Sequence, residues 1–530
     1  MVTGGTPEPS KWDVALAIAV ALWFVACGAI LVFARPLAAS LVALPFRLVE
    51  GDQGADFYAR RLLEVVPFLA VIGAAYAVLI HAVLLPDGRV ARFLVARGPW
   101  GAALLLAGVA TVFGLAPRYL TGDEPHYVVM IESLWRDGDL DLANQTDRAE
   151  LDVPAHTLPS ARGGSAYSIH FPGLAILLAL PFGVLGLKGV LVAIAALWAV
   201  LAVRVRLWVE ETGQDSRGLG QAWWLILVFA MPLVAFSGEI YPEVPAALLL
   251  ALALSRLESE RVASRVTVAA AAGALVWLHV RFLALALMLA VAALARLRRG
   301  RWWPASAFMA SLLLQMAVFW QWYGSPLPWV MYGRTAGGAV GNPAVGALGM
   351  LFDQQAGLLV VAPVYLLLGP ALAAGWVRNR SRTAWRLALL GSYLGPVVAS
   401  SSWHGFWSPP ARMWVPVVPI IMVSLLEHLP RLASRLARGA ALALGCASLA
   451  VGCLYVLFPD KRCGVLGEQG SNFFLSLIAR ATHLPVSLVF PHLQNPTGAD
   501  IAVASVELCL WLVFTVLVYR RFKARADAAP

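Results

Sequence analysis

Charged residues are scarce in this sequence. Asp, Glu, Lys and Arg make up 13% of its 530 residues, whereas hydrophobic residues make up 60%. A soluble protein of this length could not cover so much apolar surface with so little charge, since ordinary soluble chains are about one quarter charged. Mean hydropathy is +0.75, and long apolar runs recur along nearly the whole chain. Because a helix of about 20 apolar residues crosses a bilayer, the composition predicts an all-α polytopic membrane protein.

Cysteine is rare, and the common metal and nucleotide motifs are missing. The five Cys residues show no C-x-x-C spacing, and no H-E-x-x-H or G-x-x-x-x-G-K-[S/T] pattern occurs. Cys27, Cys446 and Cys509 fall inside apolar runs, where we expect inert packing residues. Cys453 and Cys463 could both lie near the outer face and pair, although an odd total argues against a disulfide framework.

Basic residues outnumber acidic ones, which gives a formal net charge of +10. In a soluble protein this excess could indicate nucleic-acid binding. Here most of the Lys and Arg lie in short loops between apolar runs, so they indicate topology and no nucleic-acid partner is expected. These loops all fall on one side of our threading, which the positive-inside rule assigns to the cytoplasm. They are residues 88–98, 204–218, 255–265, 296–301, 376–386, 428–438 and 519–525.

The threading contains about fourteen spans in a cytoplasmic (inner) membrane, with both termini in the cytoplasm. The first apolar run, Val14 to Ala34, has no clean cleavage site after it, so we expect it to remain as a span. The predicted spans lie near residues 14–34, 66–85, 99–116, 188–204, 219–236, 242–256, 266–279, 282–296, 303–322, 356–376, 385–401, 412–428, 436–457 and 502–519.

The long loops then lie on the outer side, at residues 35–65, 117–187, 323–355, 402–411 and 458–501. We divide the chain into N-terminal spans (1–98), a core that includes the outer loop 117–187 (99–430), and C-terminal spans with the outer loop 458–501 (431–530).

The first long outer loop begins with a concentrated acidic motif. Asp123 and Glu124 directly follow a predicted span, and His126 and Tyr127 stand within about one helical turn of them. Residues 123–135 can form a helix, and carboxylates at its start are stabilised by capping and by the helix dipole. A solvated helix start and a catalytic pair therefore both fit the motif. Later in this loop, residues 172–187 predict an apolar helix along the outer surface.

Further candidates lie in other outer-side segments, and each has a structural alternative. The acids Glu239 and Glu243 flank a turn, where helix capping or solvation would also explain them. An Asp before span 356–376 can be an N-cap. The aromatic loop 402–411 is typical of a membrane belt. Function is favoured for the His-x-Arg pair at 279–281, because an Arg deep in a bilayer costs at least about 2.5–3.5 kcal/mol. The candidates are Tyr167, His170, Glu239, Tyr241, His279, Arg281, Asp353, His404 and Arg412.

No comparable group of acids, His and Arg lies in the middle of a predicted span. Membrane transporters that couple to protons usually carry ionisable residues at that depth. The pattern therefore favours chemistry at the outer face over proton-coupled transport.

The motifs resemble those of the GT-C glycosyltransferase superfamily, which includes lipid A aminoarabinose transferases and protein O-mannosyltransferases. Asp123-Glu124-Pro125-His126-Tyr127 stands where those enzymes have an acidic motif in an early outer loop. Residues 167–174, YSIHFPGL, stand where many of them have a Lys-Pro-Pro-Leu element, with His170 in place of the Lys and Phe171 in place of the first Pro. The resemblance covers roughly residues 100–430, and the chain lacks the large soluble C-terminal domain of some relatives.

The resemblance implies a sugar donor attached to a polyprenyl phosphate, an acceptor that is a cell-envelope glycan, lipid or protein, and inverting transfer on the outer face. A lipid phosphate is already a fair leaving group, so one base and phosphate-binding cations suffice. We expect Asp123 to be the base, with Glu124 as the alternative base. Arg281, Arg412 and His170 are the candidates for the phosphate. A divalent cation could also bind Asp123 and Glu124.

Three other classes stay open. An acyltransferase or O-antigen ligase could act on the same outer face, but such a ligase typically has a large Arg- and His-rich outer loop late in the chain, and the loop at 458–501 is only modestly basic. A lipid-linked glycan transporter or flippase would place its polar groups near mid-membrane. A noncatalytic subunit of an envelope assembly complex would use its outer loops for docking, and in such a subunit the acidic motif would not need to be intact.

Overall fold

The computed structural model describes residues 98–115, 119–145, 157–160, 163–212, 219–257, 261–295, 302–327, 340–405, 407–429, 435–462, 471–483 and 485–527. The predicted spans 14–34 and 66–85, the outer loop 35–65 and Cys463 lie outside these residues, so the predictions that concern them stay predictions.

Seventeen α-helices lie within the described residues, and the chain is mostly helical there. In chain order they are α1 Gly98–Gly114, α2 Glu124–Arg136, α3 Gly173–Leu185, α4 Leu187–Glu211, α5 Leu219–Phe229, α6 Glu243–Leu257, α7 Val262–Leu278, α8 Leu283–Ala295, α9 Trp302–Tyr323, α10 Pro343–Phe352, α11 Leu358–Val361, α12 Leu368–Arg378, α13 Arg380–Val398, α14 Val418–Leu426, α15 Arg435–Leu457, α16 Phe473–Thr482 and α17 Gly498–Asp527. Short 3-10 turns occupy Ala143–Gln145, Ala235–Gly238, Val280–Phe282, Pro363–Leu367, Arg412–Val417, Pro459–Lys461 and Val486–Leu488.

Four of the described helices are long and apolar enough to cross a membrane. Their apolar stretches are Leu187–Glu211, Trp302–Tyr323, Ala437–Val456 and Gly498–Ala524. Several other apolar helices are shorter, between 10 and 17 residues. The helical class is thus confirmed, whereas the number of spans stays a prediction.

Two predicted spans are interrupted by proline-containing turns. The predicted helix at 356–376 consists of the short α11, a 3-10 turn that begins at Pro363, and α12. The predicted helix at 412–428 begins as a 3-10 turn that contains Pro416 and becomes α-helical only at Val418. Proline has no backbone N–H to donate to the preceding turn, which accounts for the breaks in both segments.

The outer loop 117–187 contains more structure than its two predicted helices. Helices α2 and α3 match the expected surface helices at 123–135 and 172–187 closely. Between them, strands β1 (Thr157–Pro159) and β2 (Ala166–Ser168) form an antiparallel hairpin in which Leu158 lies opposite Tyr167. This hairpin was not predicted, because each strand has only three residues and shows no alternation.

The helices pack around α4, α6 and α7. Helix α4 packs against α1 and α6, while α7 packs against α6, α8 and α9. Trp198 of α4 is wholly buried in this core, and its indole N–H donates to the carbonyl of Leu233 over 2.9 Å. The start of α6 also packs on the 3-10 turn Arg412–Val417. This last contact brings together two segments that are far apart in the sequence.

Candidate active site

The acidic motif lies where α2 begins, and its two carboxylates have different surroundings. Asp123 occupies the N-cap position of α2, but its side chain makes no capping hydrogen bond. Glu124 is fully buried. Its carboxylate accepts the backbone N–H of Thr121 over 3.1 Å and that of Ile240 over 2.8 Å. Both Glu124 oxygens therefore bind backbone N–H groups, whereas the Asp123 carboxylate contacts a side chain.

A close approach of three segments holds Asp123 in place. Gly122 has φ +56°, and a Cβ at this position would lie 2.3 Å from both the Trp407 carbonyl oxygen and the Tyr241 hydroxyl. Only glycine combines that backbone conformation with that contact. The Tyr241 hydroxyl donates to the Thr121 carbonyl over 3.0 Å and accepts the Asp123 N–H over 3.3 Å. Tyr241, a predicted site residue, thus fixes the acidic loop against the segment before α6.

Four charged side chains from segments that are far apart in the sequence meet beside this loop. Arg412 Nη2 donates to Asp123 Oδ2 over 2.6 Å, and Arg412 Nε donates to Glu243 Oε1 over 2.6 Å. Arg281 Nη2 donates to the same Glu243 oxygen over 2.8 Å. The Arg412 guanidinium also lies 4.2 Å from the centre of the Tyr241 ring, a cation–π distance. We call Asp123, Glu243, Arg281 and Arg412 the acid–arginine cluster.

The acid–arginine cluster is buried but not saturated with hydrogen bonds. The side chain of Glu243 is 0% exposed, that of Arg412 5%, that of Arg281 11% and that of Asp123 23%. Glu243 Oε2 and Arg281 Nε are buried and have no hydrogen-bond partner among the residues that the structure describes. Buried polar atoms are nearly always paired in native proteins, so these two atoms suggest a position for a polar ligand or water.

The electrostatics of the cluster favour an ionised Asp123. Burial raises the pKa of the Asp123 carboxyl, but the Arg412 guanidinium outweighs burial with the help of His170 and Arg281. Together these groups hold the pKa well below its usual value. A carboxylate so stabilised is a weak base as long as Arg412 stays bound to it.

Two imidazole rings and a phenol ring contact one another next to Asp123. The rings of His126 and His170 stack with their centres 5.4 Å apart, and the Tyr127 ring lies 5.1 Å from His170. His170 is close enough to lower the pKa of Asp123. The fold therefore brings His170, which stands in the place of the usual Lys, to the acidic motif, where it contacts His126 and Tyr127.

His279 lies beside the cluster as a neutral ring. Burial, followed by the nearby Arg281 and Arg412, lowers the pKa of His279 well below the ordinary value of an imidazole. Its Nδ1 accepts the Arg281 backbone N–H over 3.2 Å, which leaves the proton on Nε2. The ring stacks on Phe171 with 5.8 Å between the centres. His279 thus orients the turn that carries Arg281 and does not add a second positive charge.

Tyr167 belongs to a small aromatic cluster at the end of α9. Its ring stacks on Trp322 with the centres 4.8 Å apart and meets Tyr323 edge-on. The Tyr323 hydroxyl donates to the carbonyl of Ser168 in β2. Phe171 and Phe319 complete this cluster. These contacts dock the hairpin and the start of α3 on α9, next to the His279 turn.

Three predicted site residues make contacts away from the cluster. Glu239 pairs with the buried Arg462 over 3.1 Å. Asp353 accepts backbone N–H groups of Gln355, Ala356 and Leu493, so the capping explanation accounts for it and it also ties down the loop before α17. The ring of His404 meets that of Trp403 edge-on, with the centres 5.5 Å apart. For Asp353 and Glu239 these contacts indicate structural roles.

Glu243 and Arg462 were absent from the predicted site residues. Glu243 proves to be the centre of the cluster, because both guanidiniums donate to one of its oxygens. A sequence signal existed, since an acid opens an otherwise apolar helix directly after Tyr241-Pro242. Capping explained that acid equally well, and only the fold distinguishes the two explanations. Arg462 lies in a short segment with no surrounding pattern.

Two further observations concern metals and the membrane interior. Within the described parts of the chain, no group of three or more His, Cys, Asp or Glu side chains is placed to hold a metal ion. Two carboxyls lie in the apolar stretch Gly498–Ala524: Asp500 at its start and Glu507 nearer its middle. Glu507 is the one of interest here. Its Oε2 is buried and has no partner among the described residues. The sequence-based prediction that no group of acids, His and Arg lies in the middle of a span did not consider Glu507.

Comparisons of the chain with protein-family models, with curated proteins and with solved structures found no match in any of the three.

Proposed function

We propose that this protein is a GT-C-type membrane glycosyltransferase that transfers a sugar from a polyprenyl-phosphate donor to a cell-envelope glycan, lipid or protein. The observation that carries the proposal is the contact of the Asp123 carboxylate with Arg412 over 2.6 Å, in a cluster that also holds Arg281. These residues are far apart in sequence, and the acidic motif, the His279 turn and the start of the 412–417 turn were each candidates on sequence grounds.

The cluster supplies the two chemical functions that the reaction needs. Guanidiniums bind phosphate oxygens through paired, charge-assisted hydrogen bonds, which suits Arg281 and Arg412 to the donor phosphate. Asp123 is the base that takes the proton of the acceptor hydroxyl. The acceptor oxygen attacks the anomeric carbon, the bond from that carbon to the phosphate oxygen breaks, and the electron pair leaves with the lipid phosphate. One displacement inverts the anomeric centre.

The pattern of polar contacts supports a site on the outer face of a cytoplasmic membrane. The cluster joins segments that the positive-inside rule assigns to the outside. Other polar pairs join segments that the rule assigns to the cytoplasm: Arg204 of α4 donates to Ser255 of α6 over 3.0 Å, and Arg386 of α13 binds Glu427 at the end of α14. Each of these pairs of described residues joins two segments on the same predicted side of the membrane, as expected if the helices alternate in direction.

The test is transfer from a synthetic polyprenyl-phosphate sugar by the purified full chain in lipid nanodiscs. Asp123→Asn keeps the size of the side chain but removes the base, so we expect the rate to fall about 10²–10⁴-fold. The matched control is Asp137→Asn at the other end of α2. Asp137 is exposed and binds Gln145 instead of the cluster, so this variant should retain the rate. Full activity of a folded Asp123→Asn protein would exclude the base assignment.

Glu507 favours a second candidate, a transporter of lipid-linked glycans. An ionisable residue within a span is a functional candidate in its own right. One turn after Glu507, the Trp511 indole donates to the Leu366 carbonyl over 2.8 Å, so this face of α17 packs on protein. Two variants separate the two candidates. A transporter would translocate its lipid normally with Asp123→Asn and fail with Glu507→Gln. A glycosyltransferase would lose sugar transfer with Asp123→Asn and keep it with Glu507→Gln.

A further inference from the structure

The two carboxylates of the acid–arginine cluster hold their arginines in unequal ways. Glu243 is fully buried at the start of α6, and one of its oxygens binds both Arg281 and Arg412. Asp123 is partly exposed and contacts only the Nη2 atom of Arg412. Glu243 is thus a fixed anchor for two guanidiniums, whereas Asp123 is a partner on the solvent side that can be exchanged.

The two carboxylates of the cluster already face the two guanidiniums before any ligand binds. Burial lowers the pKa of His279, so this ring adds no positive charge, and His170 is the further group whose charge acts on Asp123. An incoming anion that binds Arg412 through Nη2 therefore takes the place of a carboxylate contact that is already there. The Glu243 contact is buried and shared with Arg281, whereas Asp123 is partly exposed, so the Asp123 contact is the one that an incoming anion can replace.

From these contacts, and resting on the function proposed above, we infer that the Asp123–Arg412 ion pair is a latch opened by the donor. The donor phosphate takes the place of the Asp123 carboxylate on Arg412 Nη2, while Glu243 keeps both guanidiniums in position. Released from Arg412, the carboxylate turns to the acceptor hydroxyl. Glu243 is a positioning residue in this scheme, and Asp123 is catalytic only after donor binding.

The latch links proton removal to the presence of the donor. While Arg412 holds Asp123, the pKa of this carboxyl stays far below its usual value and the group is a poor base. Replacement of the guanidinium by a phosphate anion reverses the sign of the neighbouring charge, which raises the affinity of the carboxylate for a proton. In the transfer step the acceptor O–H proton moves to Asp123, the new bond to the anomeric carbon forms, and the lipid phosphate leaves with the electron pair and one more negative charge.

The latch makes an unusual prediction for binding. If Asp123 competes with phosphate for Arg412, a variant that weakens this competition binds the phosphate more tightly even though it cannot catalyse transfer. We expect Asp123→Asn to bind farnesyl phosphate about tenfold more tightly than the wild type, which corresponds to about 1.4 kcal/mol. Glu243→Gln, which weakens the anchor, should bind it more weakly, and Asp137→Asn should not differ from the wild type.

The experiment is a titration of the full chain in detergent with three probes: farnesyl phosphate, inorganic phosphate and farnesol. Tighter binding of both phosphates by Asp123→Asn identifies the headgroup as the ligand, and an effect confined to farnesyl phosphate identifies the lipid phosphate. Equal effects on farnesol would overturn the latch, because farnesol has no phosphate. Far-ultraviolet circular dichroism and the unfolding temperature check that each variant is folded.

The outcomes also separate the latch from the proposed function. If Asp123→Asn binds farnesyl phosphate as weakly as the wild type or more weakly, while Arg412→Ala abolishes binding, the latch is wrong and the phosphate site stands. If the wild type binds no phosphate and Arg412→Ala changes nothing, both proposals are wrong. If Glu243→Gln does not fold, Glu243→Asp, which keeps the charge but shortens the reach, replaces it and should still weaken binding.

Discussion

Two buried groups of acids and arginines can be compared directly in this molecule. At the predicted cytoplasmic end, Arg386 and Glu427 form a bidentate pair in which both guanidinium Nη atoms donate to separate carboxylate oxygens over 2.7 Å. Arg386 Nη1 also lies 3.4 Å from the Ser424 hydroxyl. At the predicted outer end, one Glu243 oxygen serves two guanidiniums, and its other oxygen has no partner among the described residues.

The difference indicates which group is structural and which is a site. Both groups are buried, and both bring together charges that are costly to desolvate. The Arg386–Glu427 pair uses both carboxylate oxygens, as expected of a contact that joins α13 to α14. The acid–arginine cluster retains unpaired polar atoms and a partly exposed Asp123. Incomplete hydrogen bonding, more than burial, therefore marks the candidate site.

The largest effect on stability should come from breaking the saturated pair. Glu427→Ala leaves Arg386 buried without its counter-ion, and we expect a loss of about 3–5 kcal/mol in the free energy of unfolding. Denaturant unfolding in detergent measures this loss. Binding of farnesyl phosphate by the folded fraction should stay unchanged. The control is Arg136→Ala, which removes the exposed partner of the buried Glu132 in an i,i+4 pair and should cost less than Glu427→Ala, because solvent screens the Arg136 charge. An unaltered stability of Glu427→Ala would remove the contrast between the two groups.

A smaller effect, on binding, should follow from removing one arginine of the open cluster. Arg281→Ala deletes charge-assisted hydrogen bonds, each worth about 1.5–3 kcal/mol, so the affinity for the donor lipid should fall about tenfold or more. Acceptor affinity should change less. Isothermal titration with each substrate, alongside Arg136→Ala, tests this expectation. Donor affinity equal to that of the wild type would show that Arg281 has a structural role only.

The smallest expected effect concerns pH. Arg412 lowers the pKa of Asp123 in the folded protein, so the pair adds stability that is fully present above the ordinary carboxyl pKa of about 3.9. This stability is lost only as the pH falls through the lower, folded-state pKa. The difference in unfolding temperature between the wild type and Asp123→Asn should be the same at pH 7 and pH 5 and should shrink below about pH 4. A difference that already declines between pH 7 and pH 5 would contradict the lowered pKa.

The helices and several site candidates could be predicted from the sequence because the signals are local. Hydropathy predicted most of the ends of α1, α4, α9, α15 and α17 to within a few residues. The positions of Asp123, Arg281 and Arg412 next to apolar segments marked them as unusual, since charge at such boundaries needs an explanation. The breaks in the segments 356–376 and 412–428 were less visible, because a proline in a helix has several structural outcomes.

The roles of the individual acids could not be predicted, because each has the same local chemistry. Glu124, Glu239 and Asp353 resemble Asp123 in sequence context, yet the structure pairs them with backbone N–H groups or with Arg462. The hairpin at 157–168 was missed for a related reason, since its stability comes from contacts with α9 and not from its own short strands.

By itself, the sequence determined that this chain is rich in apolar helices and that its acids and cations gather at helix ends. Charge avoids an apolar environment wherever it is unpaired, and that rule acts on each segment separately. Only the tertiary structure decided which charges meet. Arg412 reaches Asp123 across 289 positions and Glu243 across 169 positions, and contacts of that range depend on how the helices pack. The choice of Glu243 as the anchor of both arginines follows from the packing of α6 on the 412–417 turn, which no local pattern encodes.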